Sequence, residues 1–273
     1  MKYRQNLHTH SVFCDGRDTC EATVLRALEL GFEAIGFSGH SSMYYSPSHG
    51  MSEDGTVAYR EEVARLKAAY RDRITVFCGI EFDMYSEVDL TPYDYVIGTL
   101  HYLRIGDEKV GFDRSADEVA RVISTYFAGD GLAYAKEYYR QFATLPDYGR
   151  CDIVGHFDII TKHAENEDFF DRNDPVYRRA ATECLHTLAD RGLSVFEVNT
   201  GAISRGYRKT PYPDPFLLRE MREMGLSVTL GSDCHDNRFL DCAFPETLDL
   251  LRECGFRSVL SLTENGWRED GLE

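Results

Sequence analysis

The residues best suited to chemistry come early in the chain. Leu7-His8-Thr9-His10-Ser11 is followed closely by Cys14-Asp15-Gly16. The run from Lys2 to His8 reads as a short strand, and alternate residues of a strand share a face. His8 and His10 should therefore present their imidazoles side by side where the strand ends, with Asp15 folding back over them. Neutral imidazoles beside a carboxylate suit a borderline divalent metal such as Zn²⁺, Fe²⁺ or Mn²⁺.

Matching pieces recur, each after an apolar, β-prone run. His40 follows Ala34-Ile35-Gly36-Phe37-Ser38-Gly39, and Glu81 follows Val76-Phe77-Cys78-Gly79-Ile80. His101 follows Val96-Ile97-Gly98-Thr99-Leu100, and His156 follows Ile153-Val154-Gly155. Asp233 and His235 follow Val228-Thr229-Leu230-Gly231-Ser232. The C-terminal rim of the strands is where barrels and open α/β sheets keep their chemistry. One polar residue at a strand end is commonplace; a whole set at one rim points to a metal centre. Six histidines and three carboxylates are too many for one ion and enough for two or three. Without metal, carboxylates packed so closely would repel and shift far in pKa. His49, His163 and His186 fall in polar loops or off a helix stripe and are left outside the set. Cys14 and Cys234 lie beside it.

Elements able to position these residues are visible in a repeated phrase: helix pattern, glycine, apolar residue, strand. It occurs at Leu30-Gly31-Phe32, Arg191-Gly192-Leu193, Met224-Gly225-Leu226 and Cys254-Gly255-Phe256. Glycine takes the left-handed position that closes a helix, and the next residue packs back on its last turn. Repeated αβ units around a mainly parallel sheet follow. Strands are expected near 3–8, 34–38, 74–80, 95–100, 152–155, 194–198, 227–230 and 258–262. Helices are expected over 20–30, 57–70, 117–128, 131–143, 175–191, 214–224 and 246–254. No linker or low-complexity tract divides the chain, so residues 1–273 are expected to form a single domain.

Composition narrows the function. A formal net charge of −16 argues against nucleic acid or an anionic membrane as main partner, and three bound divalent ions would leave it acidic. The opening Met1-Lys2-Tyr3-Arg4-Gln5-Asn6 has no apolar signal core, and no run approaches a membrane span. The eight cysteines are scattered without a C-x-x-C pair, as expected of free thiols in a reducing cytoplasm. With no dinucleotide-type glycine fingerprint and no Walker lysine, hydrolysis is favoured over redox work. A hydroxide held between metals is a strong nucleophile near neutral pH. A phosphate monoester additionally needs cationic donors for its free oxygens. Arg205 and Arg208, in Ser204-Arg205-Gly206-Tyr207-Arg208-Lys209, and Lys162, a loop away from His156, are the expected phosphate-binding residues. A small phosphorylated substrate is thus the expected partner.

Taken in order, His8-x-His10, Asp15, His40, Gly79-Ile80-Glu81, His101, Gly155-His156 and Ser232-Asp233-x-His235 resemble the PHP (polymerase and histidinol phosphatase) superfamily. Asp152-Ile153-Val154-Gly155-His156-Phe157-Asp158 and Glu197-Val198-Asn199-Thr200-Gly201 look like its stand-alone histidinol-phosphatase branch. The resemblance implies an α/β fold, a distorted (β/α)7 TIM-like barrel with its active site at the C-terminal strand ends. It implies one ion on His8, His10, Glu81 and Asp233, with Glu81 bridging to a second on His101 and His156. A third would sit on Asp15, His40 and His235, and the catalytic roles would fall on Glu81, Asp233 and His235. The implied reaction is hydrolysis of L-histidinol phosphate in histidine biosynthesis, with a metal-bridging hydroxide as nucleophile. Three alternatives share parts of this pattern: a PHP-type nuclease or nucleotide phosphatase, an amidohydrolase-like C–N hydrolase, and a non-catalytic metal-binding module.

Overall fold

The computed structural model describes residues 2–272. In chain order, β1 (Gln5–Asn6), α1 (Cys20–Leu30), β2 (Ala34–Phe37), α2 (Glu53–Tyr70), β3 (Thr75–Asp83) and β4 (Tyr95–Thr99) come first. A hairpin of β5 (Tyr102–Ile105) and β6 (Glu108–Gly111) precedes α3 (Ala116–Tyr126) and α4 (Gly131–Phe142). Then come β7 (Ile153–Val154), α5 (Pro175–Asp190), β8 (Val195–Asn199), the single turn α6 (Gly201–Ser204), α7 (Pro215–Glu223) and β9 (Ser227–Gly231). The chain ends with α8 (Phe244–Glu253) and a second hairpin, β10 (Ser258–Thr263) and β11 (Gly266–Gly271).

Local chemistry sets these boundaries. Thr19, Ser52, Ser115, Asp130, Asp174 and Asp214 each accept a free amide of the first turn that follows them. Gly31, at φ 76°, closes α1 in the left-handed conformation. β1, β2, β3, β4, β7, β8 and β9 form one sheet, every pair parallel. Its two edges meet: His10 N–H donates to the Cys234 carbonyl at 2.8 Å, and Cys234 N–H to the His8 carbonyl at 3.1 Å. The sheet is therefore a barrel of seven strands, with the helices packed outside it. This is the α/β architecture expected from the repeated glycine phrase and the family pattern.

Two apolar cores result. The larger lies between strands and helices and draws residues from Tyr3 to Leu272. The smaller fills the barrel axis with Leu7, Ala34, Phe77, Tyr95, Ile97, Ile153, Val195 and Leu260. Tyr95 is its largest piece, and its hydroxyl donates to the carbonyls of Leu7 and Phe37. Glycine is required opposite it. A Cβ on Gly36 would stand 2.3 Å from the Tyr95 hydroxyl, and one on Gly79 would stand 2.2 Å from the ring.

Two expected elements differ. The strand expected over 3–8 is regular only at Gln5–Asn6. Asn6 Oδ1 accepts the His8 amide at 2.9 Å, breaking the alternation so that both Leu7 and His8 face the axis. The strand expected over 258–262 forms, but outside the barrel sheet, antiparallel to β11. It plugs the lower end through Tyr3, whose hydroxyl donates to the Leu260 carbonyl at 2.8 Å, and through Gln5. The Gln5 amide bonds both Leu262 N–H (2.7 Å) and its carbonyl (2.8 Å), imitating a strand rung. Among the described residues no helix is long and apolar enough to cross a membrane. All eight cysteines carry free thiols.

The Tyr95 plug makes a separable prediction. Gly36→Ala and Gly79→Ala should each cost about 1–3 kcal/mol of stability by overpacking. Tyr95→Phe should recover part of the loss in the Gly36→Ala background, where the hydroxyl is the nearest obstacle, and little in Gly79→Ala, where the ring is. Denaturant unfolding of the two double-mutant cycles measures this.

Candidate metal centre

Glu81 lies on β3 with its side chain on the barrel axis, 1% exposed. Its Oε2 is 2.8 Å from His40 Nδ1, 3.3 Å from His8 Nε2 and 3.4 Å from His10 Nε2. Its Oε1 is 2.8 Å from His156 Nε2 and 3.4 Å from His101 Nε2. Five imidazoles thus surround one carboxylate, brought there from the ends of four strands. Asp233 closes the ring from the end of β9, with Oδ1 3.2 Å from His10 Nε2 and 3.7 Å from His8 Nε2. Asp15, the most exposed of the group, reaches His235 Nε2 at 3.2 Å, His10 at 3.6 Å and His40 at 3.7 Å. All nine residues singled out from the sequence therefore meet at one place. Their donor atoms form overlapping groups: His10, Asp15, His40 and His235; His8, His10 and Asp233; His8, Glu81 and His156; His40, Glu81 and His101.

The electrostatics need positive charge here. Burial alone would raise Glu81, but His40, His8 and His101, with His156 bonded to it, hold it well below the usual carboxylate range. Against burial, Arg205 and His8 likewise hold Asp233 low. Burial opposes a charged His40, yet Glu81 and Asp15 lift it to about 10. Burial, with His235 and His40 alongside, takes His10 down to about 3. His8 Nε2, His10 Nε2 and Glu81 Oε2 are buried with no hydrogen-bond partner. Orphaned imidazole nitrogens converging on a carboxylate fit divalent transition metals, whose charge would replace those protons.

Beside the cluster opens a cavity of about 330 Å³. Arg205 and Lys162 line it, together with Asp113, Arg114, His49 and Tyr207. Arg205 Nη2 pairs with Asp233 Oδ2 at 2.7 Å, and its Nη1 donates to the Asp233 carbonyl at 3.2 Å. Lys162 Nζ lies 3.5 Å from Asp113 Oδ2 and 5.0 Å from the centre of the Tyr207 ring. Arg208 is elsewhere. It is 3% exposed, donates to the hydroxyls of Thr161 and Thr210, lies 3.9 Å from Asp158 Oδ2 and covers the Tyr212 ring at 4.7 Å. Burial holds that Asp158 carboxyl up at about 6 in spite of Arg208. Arg208 fastens the loop from within and does not reach the cavity, contrary to its expected phosphate contact.

Several participants escaped the sequence reading. Asp83, two residues beyond Glu81 on the same face of β3, accepts the His101 amide at 2.9 Å. Alternation along the strand could have found it. Glu197 meets His8 Nδ1 at 2.7 Å through the same kind of alternation on β8. His49, left out as a loop residue, lies tilted against the His40 ring with 4.4 Å between centroids. Nothing in its local sequence signals this. His163 is buried against Tyr207, and His186 is exposed at 2.7 Å from Glu220; neither joins the cluster.

The chain is similar to known proteins over most of its length. A Deinococcus radiodurans protein named "Probable histidinol-phosphatase" is 27% identical over 266 residues, covering 92% of this chain and 94% of that one. The histidinol-phosphatase of Bacillus subtilis strain 168 is 25% identical over 252 residues, covering 84% and 92%. Histidinol phosphate phosphatase from Lactococcus lactis, solved with Zn, L-histidinol and phosphate, superposes with a TM-score of 0.73 at 22% identity, covering 97% and 98%. That likeness establishes the fold. The PHP domain pattern itself matches residues 6–201, and the chain belongs to the PHP domain family.

Proposed function

We propose that the protein is a metal-dependent phosphoric monoester hydrolase acting on L-histidinol phosphate. The observation that carries this reading is the convergence of nine metal-type donors on Glu81 beside a small cavity lined by Arg205 and Lys162. The relatives named for histidinol phosphate support the substrate. Residues 1–273 act as one hydrolase domain, which the continuous main core from Tyr3 to Leu272 supports. Free thiols throughout fit a reducing cytoplasm.

His8, His10, Glu81 and Asp233 would hold one metal, Glu81 with His101 and His156 a second, and Asp15, His40 and His235 a third. Divalent ions bound there supply Lewis acidity toward the phosphoryl oxygens and lower the pKa of water. The chain's own residues do the rest. Arg205 offers the phosphate the guanidinium donors that Asp233 and His235 leave free, and Lys162 adds a second cation from the next loop. Asp113 is kept ionised by Lys162, His101 and His49 despite burial, and can receive the substrate's ammonium group. The closed floor of Tyr95 and Leu7 keeps water from entering along the axis. A cavity of this size suits a single monoester better than a nucleic-acid strand.

Elemental analysis of protein purified without added metal should find about two to three transition-metal ions per chain. Stripping them with a chelator should abolish phosphate release, and less than one ion with full activity in excess chelator refutes the reading. Histidinol phosphate should exceed sugar phosphates, nucleotides and oligonucleotides in kcat/KM; a preference for oligonucleotides would assign a nuclease instead. Arg205→Ala should lower kcat/KM by about two to three orders of magnitude. Arg205→Lys should restore little, because an ammonium cannot make paired bonds. Metal content is measured alongside, since Arg205 also holds Asp233. Arg208→Ala should instead show as lost stability, on the order of 3 kcal/mol in denaturant unfolding, because it strands a buried partner.

A further inference from the structure

Behind the metal-type donors lies a chain of hydrogen bonds whose direction is fixed at one end. The backbone amide of Gly201, at the start of α6, can only donate, and it donates to Asn199 Oδ1 at 2.8 Å. That pins the Asn199 amide, whose Nδ2 then donates to Glu197 Oε2 at 2.9 Å. A second obligate donor, the His156 amide, reaches the same oxygen at 3.0 Å. The other oxygen, Oε1, lies 2.7 Å from His8 Nδ1. Glu197 and Asn199 are 1% and 0% exposed, so water does not relax the arrangement. The fold also clears space for this carboxylate: a Cβ on Gly231 would stand 1.9 Å from Glu197 Oε1.

We infer that Glu197 is a positioning residue that fixes the tautomer of His8, so that His8 carries its proton on Nδ1 and turns a bare Nε2 toward the metal centre. An acceptor at Nδ1 requires N–H there, and a neutral imidazole has one proton. The same carboxylate ties the His156 backbone, so it aligns histidines assigned to two different ions. This rests on the reading of His8 as a metal ligand.

Glu197→Gln keeps shape and reverses one end. With two donors fixed at the position of Oε2, the oxygen of the introduced amide must stay there, and its NH₂ then faces His8 Nδ1. The His8 proton is driven to Nε2, and a ligand is lost. Zinc-loaded parent and Glu197→Gln are titrated with a chromophoric zinc chelator, and His8 is read in long-range ¹H–¹⁵N spectra. One zinc should be held about 10–100-fold more weakly in the variant, with the His8 proton on Nε2. The exchange Glu197→Gln with Asn199→Asp conserves charge and reverses the chain. The carboxylate introduced at position 199 accepts from the Gly201 amide and from the NH₂ introduced at position 197. The oxygen at position 197 is thereby returned to His8 Nδ1. Zinc should be partly regained, short of the parent because the His156 amide then faces an NH₂. Full zinc affinity in Glu197→Gln, His8 still protonated on Nδ1 there, or an exchange variant no better than the single one overturns the inference. Should Glu197→Gln fail to fold, the exchange variant must fold and hold zinc, and its failure to do so equally overturns it. A parent that holds no zinc refutes the metal reading itself, a different result.

Discussion

A carboxylate with 1% exposure, met by five imidazoles, governs this molecule. Taking an ionised carboxylate out of water costs several kcal/mol unless cations meet it. Imidazoles are poor permanent cations, and the five around Glu81 cannot all be protonated so close together. The pull on His40 and the opposite pull on His10 express that conflict. Divalent ions resolve it, because every ring can then stay neutral and still face positive charge. The barrel follows from the same need. Parallel strands ending at one rim bring side chains from residues 8 to 156 within reach of that one carboxylate.

Packing below the centre serves the same end. Tyr95 fills the axis because Gly36 and Gly79 leave it room, and Gly231 leaves room for Glu197. These glycines within the β-prone runs are clearances for large or charged neighbours. The floor is thus apolar and closed directly beneath a layer of charge. That contrast keeps the local dielectric low where the imidazoles and carboxylates meet.

Much of this was legible in the sequence because the signals were periodic or terminal. Most of the nine donors follow an apolar run, and several αβ units announce themselves by the glycine that follows their helix. What escaped depended on side chains acting as backbone. Asn6 takes the His8 amide, ends β1 early and turns two neighbouring residues inward, which no alternation rule anticipates. Gln5 imitates a rung of β10 and draws that strand beneath the barrel. Arg205 and Arg208 differ by three residues and look equivalent in a basic run. Gly206, at φ 74°, reverses the chain between them, leaving one on the cavity wall and the other in the core. The β5–β6 hairpin that leads to Asp113 was overlooked, although Gly106-Asp107 between two alternating stretches is a recognisable turn signal.

The seam of the barrel and the metal centre are one structure. The strand pair that closes the sheet joins Thr9 to Cys234. On one side of that pair stand His8 and His10, on the other Asp233 and His235. The hydrogen bonds that close the barrel are therefore the bonds that set the separation of these four side chains. Asp233 reaches inward from a left-handed backbone, φ 48°, a conformation an aspartate tolerates better than most residues. Arg205 then clamps both its carboxylate and its carbonyl. In the unfolded chain these two pairs of metal-type donors lie far apart, at opposite ends of the sequence, so the groups that span the seam do not exist before it forms. Metal that binds across the seam must stabilise the closed barrel over any open form, and opening the seam must release it. Closure of the fold and assembly of the part of the site shared by these four residues are consequently the same event.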